Sequence, residues 1–130
     1  MNIFKKEKDY NKEVAIDKIS DMTESYLKED KWKVQVGNAE NGKLLQATKG
    51  GILRGIVAAD RSLTILFTKT LNVLKVTMGI GKMVQNIGVT VIEATLLSEL
   101  FLVVDIPEML WNVEIENKIL KKIDGFVDSS

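Results

Sequence analysis

The sequence predicts an α+β fold: an N-terminal helix, a four- or five-stranded antiparallel meander, and two C-terminal helices packed on one sheet face. Three observations predict it. Apolar residues recur at helical spacing across residues 11–30. The pattern then switches to alternation broken by turn dipeptides across residues 32–79. A long apolar stretch, Pro107 and a second helical stripe fill the remainder. Strands and helices segregated along a chain fit helices laid over one face of a sheet.

Taken in order, residues 1–10 have a basic start with no apolar run behind it, so they do not read as a secretory signal. They are expected to form a flexible, solvated terminus. In residues 11–30, Ala15, Ile19, Met22 and Tyr26 define an apolar helical stripe, with Glu13, Asp17, Lys18, Asp21, Glu24 and Lys28 on the other side. Trp32, Val34 and Val36 then alternate with Lys33 and Gln35, as in a strand with one apolar face. Asn41-Gly42 suits a type I′ hairpin turn, in which both central residues take positive φ. The return strand is expected over 43–49. Gly50-Gly51 turns the chain into a third strand near 52–58, and Asp60-Arg61-Ser62 turns it again. Leu63, Ile65 and Phe67 alternate in the next strand. Leu71-Asn72 leads to the last, with Leu74, Val76 and Met78.

Gly79-Ile80-Gly81 closes the meander. A helix is expected over 83–104, apolar on most sides, and a second from the Asp105-Ile106-Pro107-Glu108 capping signal to about Asp124. Its stripe is Trp111, Ile115, Ile119 and Ile123, and Gly125 is its expected stop. One domain over 11–125, with 126–130 as tail, accounts for the chain.

Composition narrows the chemistry. The 130 residues carry 18 basic and 18 acidic side chains, no His and no Cys. This excludes disulfides, thiolate or imidazole metal ligands, cysteine nucleophiles and the commonest general base. Gly79-Ile80-Gly81-Lys82 lacks the spacing of a phosphate-binding loop, and Met83 replaces the hydroxyl that would hold magnesium. No catalytic residue, cofactor or metal is expected. Met22, Met78, Met83 and Met109 read as core fillers, and Tyr26, Trp32 and Trp111 as packing residues.

The zero net charge is uneven. Residues 43–82 carry seven basic and one acidic side chain, and residues 83–130 carry three and eight. Lys43, Lys49, Arg54, Arg61, Lys69, Lys75 and Lys82 are therefore the candidates for a surface facing an anion or a partner. Such a surface suits anionic lipid headgroups, nucleic acid or an acidic partner. Nucleic acid is the weaker option, because the polar face offers few aromatics for stacking.

Residues 87–104 contain eleven Leu, Ile, Val and Phe, with Glu93 and Glu99 among them. On the insertion scale the apolar residues contribute about −3 to −7 kcal/mol and the two carboxylates about +5 to +7 kcal/mol. The balance favours a buried helix or an interface over a span. Glu93, Glu99 and Trp111 are the pocket or interface candidates. The leading expectation is a non-catalytic interaction module in the cytoplasm. It would self-associate as a homo-oligomer, in its simplest form a homodimer, through its hydrophobic C-terminal helices. A peripheral membrane protein using the basic sheet face or residues 87–104 is the alternative, and a small-ligand pocket between sheet and helices a further one.

The chain also resembles a group of small, largely uncharacterised prokaryotic α+β proteins with a helix, a short meander, a Gly-x-Gly strand exit and a hydrophobic segment. The matching stretches are residues 26–32, Ala47-Thr48-Lys49, Leu63-Thr64-Ile65, Gly79-Ile80-Gly81 and residues 87–111. Some members carry an N-terminal zinc ribbon or a more membrane-like tail, and this chain has neither. The resemblance implies the fold and no activity.

Overall fold

A computed structural model describes residues 5–49, 61–82, 84, 91–92 and 113–129. The elements in chain order are β1 (Lys5–Tyr10), α1 (Ile16–Glu29), β2 (Lys33–Ala39), β3 (Gly42–Thr48), β4 (Arg61–Thr70), β5 (Val73–Lys82), β6 (Val91–Ile92) and α2 (Val113–Asp128). The sheet order is β1-β5-β4-β3-β2-β6. Strands β2 to β5 form the meander, each antiparallel to the next. β1 adds antiparallel to β5, which makes a five-stranded antiparallel sheet. β6 contributes two residues parallel to β2.

Alternation decides which strand residues join the core beneath the helices. The register aligns Leu45 with Ile65 and Ile65 with Met78. These residues belong to one apolar face with Ala47, Leu63, Phe67, Leu74, Val76 and Ile80. Ile19 and Leu27 of α1, and Ile119, Ile123 and Val127 of α2, complete the same core cluster. Phe67 is fully buried within it; truncating such a side chain to Ala costs about 4 kcal/mol. Two polar positions interrupt the inward stripe of α1. Thr23 is satisfied through the Ile19 carbonyl at 2.8 Å, whereas the buried Ser20 Oγ has no hydrogen-bond partner among the described residues.

The end of α1 is set by backbone hydrogen bonds. Lys31 N–H donates to the Lys28 carbonyl and Trp32 N–H to the Leu27 carbonyl, both at 3.0 Å. This is the Schellman pattern, and it requires the left-handed φ of 69° seen at Lys31. Trp32 and Leu27 bury together beneath it.

Several elements differ from the sequence expectation. Residues 5–10, expected within a flexible terminus, are β1. Their alternation is charged, so it carries no apolar signal. The strand forms because β5 offers an open edge and because Lys6, Lys8 and Tyr10 reach α2. Lys6 donates to Asn117, while Lys8 (2.6 Å) and Tyr10 both donate to Asp124 Oδ1. Lys12 donates to the Val127 and Asp128 carbonyls at the C-terminal end of α2. α2 itself runs through Gly125 to Asp128, beyond the expected stop, so Phe126 and Val127 are helical and not tail. Val91–Ile92 is a strand within the span expected as a helix over 83–104. α2 is the C-terminal helix among the described residues. The expected strand at 52–58, the remainder of 83–104 and the capping signal at Pro107 lie outside the described residues.

The first hairpin also differs. Its two-residue loop is Glu40-Asn41, closed by the Ala39–Gly42 pair, and Asn41 alone takes positive φ, at 60°. Gly42 is the first residue of β3. It is needed because a Cβ there would collide with the Phe67 carbonyl oxygen of β4. In the second hairpin, Leu71 takes φ 54° at the loop tip with 89 % of its surface exposed.

Gly42→Ala is expected to lower stability by about 3 kcal/mol, because β4 backbone would have to shift. Lys31→Gly and Leu71→Gly are each expected to raise it by about 1 kcal/mol by relieving a left-handed conformation. Urea unfolding of the three variants checks both signs.

The Asp124 latch has its own pH signature. Burial pushes this carboxyl up, but hydrogen bonds from Lys8 and Tyr10 outweigh burial and hold it below the usual range. A depressed carboxylate contributes stability above about pH 4, and loses it as pH falls through the folded value. Asp124→Asn should therefore destabilise the protein near neutrality and converge with the wild type in acid. The pair is partly exposed, so solvent screening limits the difference to about 1 kcal/mol. Equal destabilisation by Asp124→Asn at every pH would remove the latch.

Candidate anion-binding surface

The sheet lysines expected to form one basic face are divided and partly neutralised. Lys43 lies 3.7 Å from Asp17, and Lys69 lies 4.0 Å from Glu13, near the start of α1. Lys49 lies 3.4 Å from Asp30 at the other end of α1, with its ammonium 5.7 Å from the Trp32 ring centre. Lys75 is exposed on β5, opposite Asp9 of β1 in the register. Lys82 is exposed at the end of β5, where its carbonyl accepts a hydrogen bond from Gln46 at 2.7 Å. Arg61 pairs with Lys82 through the β4–β5 register. Arg54, Glu93, Glu99 and Trp111 lie outside the described residues.

A different set of lysines comes together on α2. Lys118, Lys121, Lys122 and Gly125 stand at i, i+3, i+4 and i+7, hence on one stripe, and line a cleft of about 440 Å³. Lys122 holds its ammonium 5.5 Å from the Tyr26 ring centre on α1. Neither Lys121 nor Lys122 has a carboxylate within 4.0 Å among the described residues.

Two of the acidic residues of α2 point elsewhere. Asp124 is held by β1, and Glu116 is only 2 % exposed on the inward stripe with Ile119. The summed negative charge of residues 83–130 therefore conceals a basic helix face. The spacing Lys118-x-x-Lys121-Lys122 is the signal the sequence offers for it.

Asp30 is the nearby counter-charge. Burial pushes its carboxyl up, but Lys49, the Trp32 indole and Lys118 outweigh burial and hold it below the usual range. Tyr26 is pushed above its usual value by burial and then by Asp30, against an opposing effect from Lys49. Its phenol stays neutral at physiological pH. What the cluster can do is hold an anion by charge and by ammonium hydrogen bonds.

The opposite sheet face buries Leu44 and Leu66 beside a set of hydrogen-bonded polar side chains. Gln46, 1 % exposed, donates to Thr64 at 3.2 Å and to the Lys82 carbonyl, and accepts from the Val84 N–H at 2.7 Å. Gln35 donates to the Val84 carbonyl at 2.9 Å. These bonds stitch the chain leaving β5 across to β3 and β2. A shallow depression of about 200 Å³ lies at this edge, lined by Lys33, Val34, Gln35, Gln46 and Thr48.

Among the described residues no group of three or more carboxylates converges as a metal site, and no helix is long and apolar enough to cross a membrane. Comparison with protein-family models, curated proteins and solved structures finds no match.

Both tyrosines titrate late. Burial, then the bond to Asp124, pushes the Tyr10 phenol far above its usual value. A raised phenol favours the folded state below about pH 10, and that stability is lost as pH rises through the folded value. Absorbance titration should show less than half of the tyrosine ionised at about pH 10 in the native protein and a step on unfolding. Half-ionised tyrosines in the native state at that pH would contradict the Tyr10 and Tyr26 environments.

Proposed function

We propose that the chain is a non-catalytic binding module and that the lysine stripe of α2 is its partner-facing surface. The partner is an anionic, phosphate-bearing ligand, either a lipid headgroup or a soluble phosphate. The observation that carries this reading is the alignment of Lys118, Lys121 and Lys122 along one cleft, with their own helix's Asp124 and Glu116 turned away. Like charges three and four apart on a helix repel, and a bound anion relieves that repulsion. The ion pairs at Lys43, Lys49 and Lys69 reduce the case for a basic sheet face.

The test uses two probes at low salt: phosphatidylglycerol vesicles and inorganic tripolyphosphate. Each lysine near an anionic surface contributes about 1 kcal/mol, so Lys121→Gln with Lys122→Gln should weaken binding about thirty-fold. Added salt should weaken it further. Binding of neither probe overturns the reading, as does binding that the double variant leaves unchanged.

Self-association through residues 87–111 is the second reading. It is supported by the density of Leu, Ile, Val and Phe in that stretch. A strictly monomeric sedimentation profile at tens of micromolar overturns it.

A further inference from the structure

Gly125 is out of place as a structural residue. Glycine is the poorest helix former after proline, yet this one lies inside α2. It is not a helix stop, because Ser129 N–H still donates to the Gly125 carbonyl at 3.1 Å. Nor does packing demand it. A Cβ built there meets nothing within 4 Å among the described residues. An Ala would fit the fold as it stands and strengthen the helix.

What Gly125 does is line the lysine cleft. Side chains on a helix lean toward its N-terminus, so a residue covers the surface of the turn before its own Cα. A side chain at 125 would therefore lie over the turn that carries Lys121 and Lys122. Its absence leaves that surface open between the lysine stems, within the cleft that Lys118 also lines. The volume of about 440 Å³ falls in the range of small-ligand sites.

We propose that Gly125 determines ligand access to this cleft, by letting a phosphate group descend between Lys121 and Lys122 onto the body of α2. The ligand is then seated in a discrete site and does not merely hover over lysine tips. This rests on the lysine stripe being the binding surface. It adds a steric requirement that diffuse charge attraction does not have.

The experiment pairs stability with binding in Gly125→Leu and Gly125→Ala, beside the Lys121→Gln/Lys122→Gln variant. Both Gly125 variants should melt higher than the wild type, by about 3 °C, through helix propensity. Gly125→Leu should nevertheless lose at least ten-fold in affinity, and the smaller Gly125→Ala about three-fold. Neither changes the charge. With tripolyphosphate as probe this outcome assigns a soluble phosphate ligand. The same loss seen only with phosphatidylglycerol vesicles assigns a lipid headgroup. If Gly125→Leu folds and binds either probe as the wild type does, while the lysine variant loses binding, the access role is overturned and the lysine surface stands. If Gly125→Leu fails to fold, wild-type affinity in Gly125→Ala overturns the access role instead. If the wild type binds neither probe, both readings fall together.

Discussion

A sheet with one continuous apolar face must cover that face, and the rest of this molecule is arranged around the requirement. Leu45, Ile65, Phe67, Val76 and Met78 share the face because antiparallel register aligns strands at a period of two. A shift of one residue in any strand would turn its apolar set away from the helices. Within that register Gly42 crosses close over the Phe67 carbonyl. Only glycine allows the two backbones to meet there, so the first hairpin and the packing of β3 on β4 depend on the same atom that residue 42 lacks.

Covering the face also sorts the charges. α1 lies over the sheet, and its flanking carboxylates meet Lys43, Lys49 and Lys69. α2 turns Ile119, Ile123 and Val127 inward and gives Asp124 to Lys8 and Tyr10 of β1. With the inward and β1-facing positions so occupied, its lysines share one outward stripe. The same docking thus stabilises the helix and creates the surface proposed to bind an anion. The opposite face of the sheet, which also buries Leu44 and Leu66, is handled differently. Gln35 and Gln46 satisfy each other's surroundings and the chain beyond β5, which leaves them a structural task.

Much of this is legible in the sequence, and for local reasons. α1 follows from its 3.6-residue stripe, and β2 to β5 follow from alternation and turn residues. β1 is not legible, because Lys-Lys-Glu-Lys-Asp-Tyr has no apolar face; it becomes a strand only when β5 and α2 supply partners. The lysine stripe is hidden by a sum. Counting charge along residues 83–130 mixes Asp124 and Glu116 with lysines that the helix separates in direction. Asn41-Gly42 reads as a matched turn pair, whereas the loop is one residue earlier and Gly42 answers to β4.

By itself, then, the sequence determined the fold class, the apolar stripes, and the absence of imidazole and thiol chemistry. Periodicity and composition are local, and they survive without knowledge of neighbours. The tertiary structure decided which lysines are neutralised and which face outward together, why Gly42 is required, and where the first strand pairs. Those outcomes depend on contacts between residues far apart in the chain, such as Lys8 with Asp124. Distance along the sequence carries no record of them.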